Sequence, residues 1–267
     1  MTDTTVGSRP FDMGRVISGT FAVIGRNFVP FVLLALLLGG LPSLLVGLFN
    51  LRFPDDPPTF QPSWIGGALI GGLVMLAAAY VLQAAIVHAT VTDLNGRRVV
   101  LGDSLKVGVR NCLPLIGLAI LTGLGVAIGT VLLIVPGLIL MVAWSAAVPA
   151  KVVEKIGVFE AFTRSRDLTR GRRWPIFGLF VLYAIAAGVL NAVILAAFAP
   201  FALGKSLPMG ASVDGVAQSM NIVQLVADPL VATITTLIST AGLATLYFEL
   251  RGSREGVGPE ALASVFD

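Results

Sequence analysis

Long uncharged apolar segments constrain the fold of this chain more than any other feature of its sequence. The longest, from Leu113 to Ala150, contains 38 residues without a charge. Because a helix needs about 20 apolar residues to cross a hydrocarbon core of roughly 30 Å, such segments predict membrane spans. Four more are present: Phe28 to Asn50, Trp64 to Thr90, Pro175 to Leu203 and Ile222 to Phe248. A composition that is 56% hydrophobic and 12% charged agrees with a membrane protein.

Two helices are expected in the 38-residue segment, which is too long for one span and just long enough for two short ones. Ile134 to Gly137 reads "IVPG", in which Pro136 cannot continue the preceding hydrogen-bond ladder and Gly137 relaxes the backbone. Both flanks of the segment are basic, so an even number of crossings keeps them on one face. The sequence therefore predicts an all-α, polytopic membrane protein with six transmembrane helices.

The distribution of Lys and Arg predicts the orientation of these six helices. Sixteen of the eighteen basic residues fall in the terminal segments and in alternate connections, and only Arg52 and Lys205 fall on the opposite face. Because cytoplasmic loops carry the excess of Lys and Arg, both termini are expected in the cytoplasm of a bacterium, with the chain in its inner membrane. The predicted division is 1–27, a cytoplasmic segment with an amphipathic helix; 28–250, a six-helix membrane domain; and 251–267, a cytoplasmic tail.

Amphipathic segments precede the first, third and fifth predicted spans. The first follows Asp12, a helix-capping residue type, and the second begins near Leu101. The third follows Glu154, pairs Glu160 with Arg164 at i, i+4, and ends near Gly171. We expect three cytoplasmic interfacial helices. Each of the three amphipathic segments is followed by a short basic segment, a proline and two predicted spans. A threefold repeat of this unit, with 2+2+2 spans as hairpins, is therefore a further hypothesis.

Arginines concentrate just before the fifth span, in the sequence "SRDLTRGRRWPIF" and the residue before it. One interpretation is a topology signal that also attracts anionic lipid. A second is a pocket for one headgroup phosphate, because arginine forks suit phosphate. A third is a cytoplasmic protein partner, whereas nucleic acid is not expected because no recognition fold accompanies the charge. The candidate headgroup-binding residues are Arg164, Arg166, Arg170, Arg172 and Arg173.

Three polar residues within the predicted spans are candidates for intramembrane function. Asp228, next to Pro229, is either a proton or cation site or part of a hydrated structural kink. His88 and Gln83 lie about one turn apart in the second span and predict an interhelical hydrogen bond or, alternatively, a proton relay. With one cysteine and one histidine in the chain, we expect no metal site. The aspartate-rich signature of CDP-alcohol phosphotransferases, a P-loop and G-x-S-x-G are absent, so we expect no catalytic residues and no cofactor.

Two segments resemble the membrane region of bacterial proteins of the glycerophosphoryl diester phosphodiesterase membrane domain family and its uncharacterised relatives. The matching residues are Pro136-Gly137, Pro149, Glu154, Ala161, Arg164-Ser165, Leu168, Gly171, Trp174, Tyr247-Phe248-Glu249-Leu250-Arg251 and Glu255-Gly256. The resemblance implies a bacterial inner-membrane location. It does not imply the phosphodiesterase activity, since the chain has no room for the catalytic barrel and lacks its His, Glu and Asp set.

Together these patterns predict a non-enzymatic, lipid-interacting or scaffolding subunit that acts in envelope homeostasis or supports another membrane protein. Its expected partners are membrane lipids, with anionic headgroups on the cytoplasmic face. The alternative hypothesis is a small transporter or permease-like subunit in which Asp228 couples to protons or cations. A lipid-modifying enzyme that holds a phosphate with its arginines is a third, weaker hypothesis.

Overall fold

A computed structural model describes residues 11–42, 44, 45, 48, 62–204 and 213–255, and it describes the backbone alone for 62–70, 198–204, 213–226 and 228. Within these residues the chain is helical and contains no strand. Five helices are long and apolar enough to cross a membrane, and a bent helix pair near the N-terminus makes a sixth if it counts as one span. The predicted fold class, an all-α polytopic membrane protein, is confirmed.

Nine helices are described, numbered here in chain order. They are α1 Met13–Arg26, α2 Phe28–Ala35 with a π-helical continuation at Leu36–Gly40, α3 Pro62–Leu94, α4 Leu101–Leu132, α5 Ile134–Ala143, α6 Ala147–Glu154, α7 Val158–Thr169, α8 Arg173–Gly204 and α9 Val213–Glu255.

The amphipathic helix α1 begins and ends at side-chain caps. The carboxylate of Asp12 accepts a hydrogen bond from the backbone N–H of Gly14 at 2.7 Å, as the sequence predicts. At the other end the chain turns by 88° between α1 and the α2 segment. Asn27 and Arg26 both donate to Asp93 at the end of α3, at 2.8 Å and 2.5 Å respectively. These hydrogen bonds stabilise the bend, so α1 runs nearly perpendicular to α2.

The second amphipathic segment differs from the prediction of a separate surface helix. Residues 101–112 form the first turns of α4, which continues through Pro114 to Leu132. Close packing against α3 explains the continuity, because a Cβ atom on Gly108 would lie only 2.5 Å from the carbonyl oxygen of Val81. The Nδ1 atom of His88 also lies 3.4 Å from the Oγ atom of Ser104. Contacts with α3 therefore hold this segment in line with the span despite its proline.

The helices α4 and α5 form the tight hairpin that the sequence predicts within the 38-residue segment. The break falls at Leu133, whose backbone is extended, and Pro136 lies in the first turn of α5, where a missing N–H costs no hydrogen bond. The two helices touch at Gly137. A Cβ atom there would lie 2.1 Å from the Oγ1 atom of Thr130 and 2.9 Å from its Cα.

A second break, not predicted from the sequence, separates α5 from α6 at residues 144–146. Ser165 of α7 satisfies the backbone groups that the break exposes. Its hydroxyl donates to the carbonyl of Ala143 at 2.8 Å and accepts from the N–H of Ala146 at 3.1 Å. Since unsatisfied backbone groups are costly within a bilayer, this buried serine permits a break in the helix of the fourth span.

The long helix α9 lies at the centre of the bundle and packs against α1, α2, α3, α6, α7 and α8. Its residues Leu246, Tyr247 and Leu250 are buried in a cluster shared with α1, α5, α7 and α8. We call the end of the bundle at which α3 ends, α4 begins and α9 ends the basic end, since the described Lys and Arg residues gather there. Arg52 and Lys205 lie outside the described residues.

Candidate functional site

The basic end contains seven exposed cationic residues whose side chains have neither a carboxylate within 4.0 Å nor a hydrogen bond in the described part of the chain. They come from the α3–α4 connection, from the first turns of α4, from the residue after α6 and from the end of α7. They are Arg97, Arg98, Lys106, Arg110, Lys155, Arg166 and Arg170. An exposed cation without a local carboxylate keeps its full attraction for an external anion.

Among the five arginines selected from the sequence, Arg164 faces into the protein. Its guanidinium bonds both carboxylate oxygens of Glu154 at 2.9 Å and also contacts the carboxylate of Glu255. Tyr247 donates to the same Glu154 carboxylate at 2.7 Å. Partial burial of Arg164 opposes its charge, but the hydrogen bonds with Glu255 and Glu154 outweigh burial and raise its pKa. Arg164 therefore crosslinks α6, α7 and α9.

The sequence predicted Glu160 as the partner of Arg164, but Arg164 pairs with Glu154 and Glu255 instead. Glu160 lies four residues before Arg164, but its carboxylate accepts a hydrogen bond from the backbone N–H of Gly157 at 2.8 Å. It thereby satisfies the N-cap N–H at the start of α7, as the glutamate of a capping box does. Glu154, ten residues before Arg164 and on another helix, provides the carboxylate for the arginine instead.

Arg172 is also fixed by the protein, but without a carboxylate. Its Nη1 atom donates to the hydroxyl of Ser253 at 2.6 Å, and the guanidinium carbon lies 5.9 Å from the centre of the Phe11 ring. Partial burial, together with the charge of the nearby Arg254, lowers the pKa of Arg172. The residue therefore adds a positive charge to the start of α8 that no described carboxylate within 4.0 Å neutralises.

The remaining three arginines of the set differ in exposure. Arg166 and Arg170 are exposed at the end of α7, and the backbone carbonyl of Arg170 accepts a hydrogen bond from Arg254. Arg173 is partly buried, and its Nε atom is shielded without a hydrogen-bond partner. The structure thus brings the five arginines to one end of the bundle but leaves only Arg166 and Arg170 exposed.

The polar residues predicted inside the spans do not form a connected chain in the described structure. His88 is half-buried and approaches Ser104 across the α3–α4 interface, in keeping with the predicted interhelical contact. Gln83 is half-buried on the same helix. The side chain of Asp228 lies outside the described residues. No group of three or more His, Cys, Asp or Glu side chains in the described part of the chain is arranged to hold a metal ion.

An apolar groove, not predicted from the sequence, lies between α1, α8 and α9 and has a volume of about 200 Å³. Ile17 and Phe21 of α1 form one wall, and Leu179 and Tyr183 of α8 form another. The only sequence signal was the width of the apolar face of α1, which extends beyond the buried Val16 to the 58% exposed Phe21. An amphipathic face wider than its packing partner indicates a surface available for other apolar groups.

The fold and the basic end define the chain as a multi-pass α-helical membrane protein. Comparison with known proteins then places it in a family. The model of the family described as Domain of unknown function (DUF7847) matches residues 12–250, so the chain belongs to that family. No curated protein and no solved structure matches the chain.

Proposed function

We propose that this protein is a non-enzymatic, lipid-interacting subunit whose basic end binds anionic headgroups at the cytoplasmic face of a bacterial inner membrane. The observation that supports the proposal is the set of seven exposed cations whose side chains have neither a carboxylate within 4.0 Å nor a hydrogen bond among the described residues. Each Lys or Arg near a negatively charged leaflet contributes on the order of 1 kcal/mol. The resemblance to the glycerophosphoryl diester phosphodiesterase membrane domain family supports the same location.

The separation between crosslinking and exposed arginines identifies the residues that would carry this function. Arg164 has its charge neutralised by Glu154 and Glu255, so its contribution is to stability. Arg166 and Arg170, on the same helix, and Arg97 and Arg98, in the α3–α4 connection, retain their charge for the leaflet. Binding by a set of separate cations favours headgroup charge over headgroup shape.

Native mass spectrometry after exchange into mixed phosphatidylglycerol and phosphatidylcholine nanodiscs tests the proposal. We expect the wild-type protein to retain phosphatidylglycerol selectively. The quadruple variant R97Q/R98Q/R166Q/R170Q should bind phosphatidylglycerol more weakly by at least about tenfold, since four attractive charges are removed.

A control variant accompanies this experiment. The double variant R52Q/K205Q removes cations that the sequence places on the opposite face, and it should retain phosphatidylglycerol as the wild type does. Unchanged retention by the quadruple variant would refute a role for the basic end in headgroup binding.

Incubation of the purified protein with phospholipid or a glycerophosphodiester should give no turnover, and any turnover that tracks the protein would overturn the non-enzymatic assignment.

A further inference from the structure

The apolar groove between α1, α8 and α9 is bounded by three helices and open on one side. Ile238 and Leu243 of α9 form its floor, opposite the walls from α1 and α8. Its volume of about 200 Å³ exceeds the roughly 150 Å³ of an apolar protein cavity that stays dry and binds benzene. The groove is therefore large enough for a segment of hydrocarbon.

The polar groups that line the groove are already engaged within the protein. The hydroxyl of Thr20 donates to the carbonyl of Val16 at 2.7 Å, and the hydroxyl of Tyr183 donates to the carbonyl of Thr235 at 3.0 Å. Ser239 likewise donates within α9, to the carbonyl of Thr236. Because each hydroxyl proton has an internal acceptor and the other lining residues are apolar, the groove favours an apolar occupant over water.

Packing between α1 and α9 keeps the groove from closing. A Cβ atom on Gly19 would lie 3.0 Å from the side chain of Thr245, so the two helices touch closely along the edge away from α8. Arg15 adds a hydrogen bond of 2.6 Å to the carboxylate of Glu249 on the same side. With α1 fixed along one edge, Phe21 on its opposite side lines the groove and stays 58% exposed.

The groove lies at the level of the membrane that lipid acyl chains occupy. The candidate span of α8 begins at Arg173, and Trp174 is 84% exposed there, as is typical of aromatic residues at a membrane interface. Leu179 to Ala186 lie six to thirteen residues further along α8. At 1.5 Å per residue this is about 9 to 20 Å along the helix axis, within the hydrocarbon region.

The charge at the start of α8 complements an anionic headgroup at that end of the groove. Arg172 precedes the candidate span directly and has no described carboxylate within 4.0 Å. The exposed Arg170 adds a second positive charge at the same level of the chain. A phospholipid whose chain enters the groove from this leaflet would place its phosphate near the same height as these two guanidinium groups.

We propose that the groove holds one acyl chain of an anionic phospholipid from the leaflet at the basic end. The inference rests on the proposed function and deepens it, since the protein then retains an entire lipid molecule and does not only attract headgroups. The lipid is recognised twice, by its chain between α1, α8 and α9 and by its charge at the start of α8.

Photocrosslinking in nanodiscs, with phosphatidylglycerol that carries a diazirine in one acyl chain, tests this inference. In the wild-type protein we expect saturable crosslinks to α1 and to residues 179–186, which excess unlabelled phosphatidylglycerol abolishes. Ala186→Phe places a ring in the groove and should lower the saturable crosslinking about tenfold, because the chain loses its buried contacts. Gly242→Leu fills the groove from α9 and provides a second variant with the same expectation.

The matched control is Ala184→Phe, which adds the same ring to an exposed position of α8 outside the groove. It should crosslink as the wild type does. Equal saturable crosslinking of the Ala186→Phe, Ala184→Phe and wild-type proteins would overturn the acyl-chain site. Equal competition by unlabelled phosphatidylcholine and phosphatidylglycerol would overturn the requirement for an anionic lipid.

The two proposals fail in different ways. Loss of crosslinking in Ala186→Phe together with unchanged lipid retention in R97Q/R98Q/R166Q/R170Q supports the acyl-chain site but refutes the role of the exposed cations, including that of Arg170 beside the groove. Selective retention that depends on those cations, together with crosslinking that never saturates, supports the proposed function and refutes the groove.

Discussion

At the scale of single residues, two arginines of the same helix have opposite roles. Arg164 and Arg166 are two positions apart on α7, and residues at that spacing point to different sides of a helix. Arg164 consequently meets Glu154 and Glu255, whereas Arg166 is exposed without a described carboxylate within 4.0 Å. The first ties helices together, and the second is available to the membrane surface.

We predict that Arg164→Gln destabilises the protein by about 1 to 3 kcal/mol, because the Glu154 carboxylate, only 17% exposed, loses its cation. Thermal unfolding in mild detergent measures the effect as a lower Tm. The control Arg166→Gln should change the free energy of unfolding by less than about 0.5 kcal/mol. Equal stability of the two variants would show that the Arg164 contacts do not crosslink the helices.

At the scale of helices, the bundle depends on close approaches that involve small residues. Gly108 permits α4 to pack on α3, and Gly137 permits α5 to pack on α4. Small residues at such positions let helix backbones approach closely in membranes, where apolar burial between helices gives little driving force. Ser165 has the complementary role of bonding the backbone where the fourth span breaks.

We predict that Gly137→Ala destabilises the α4–α5 hairpin by about 1 to 3 kcal/mol, because the new methyl group overlaps Thr130 and forces the helices apart. The free energy of unfolding can be measured by titration with sodium dodecyl sulfate in mixed micelles. Gly123→Ala on α4 is the matched control, since no atom lies within 4 Å of its added Cβ. A neutral Gly137→Ala variant would contradict the close helix contact.

At the scale of the whole molecule, the described cations lie at one end of the bundle, which gives the described part of the chain one strongly basic face. Arg97 follows α3 and Arg170 follows α7, yet the packing of α9 against α3, α7 and α8 brings their connections to the same end. The proposed orientation places this end in the cytoplasm, as the excess of Lys and Arg predicts.

Labelling of engineered cysteines with a membrane-impermeant maleimide tests this orientation. In a Cys112→Ala background, we expect Arg97→Cys and Arg170→Cys to react in inverted membrane vesicles and not in spheroplasts. Asp55→Cys, in the loop predicted on the opposite face, should react in spheroplasts. Labelling of positions 97 and 170 from different sides would contradict the placement of both connections at the same end of the bundle. Labelling of both from the outside would contradict only the proposed orientation.

The local features of the fold could be predicted because each depends on residues close in sequence. The apolar runs specify membrane spans, and Asp12 caps the helix that follows it. Gly171, with a φ of 80°, follows the end of α7, where a left-handed residue costs glycine little. The sequence also predicted a hairpin within the 38-residue segment, and the structure moves the break only to Leu133.

The sequence by itself thus determined the helical spans, the Asp12 cap of α1 and the segments that carry positive charge, since these follow from hydropathy and from contacts between near neighbours. Only the tertiary structure decided that α4 continues through Pro114, that Arg164 is neutralised and that a groove lies beside α1. The physical reason is that the partners are distant in the chain: Arg164 and Glu255 are 91 positions apart, and three separate helices form the groove.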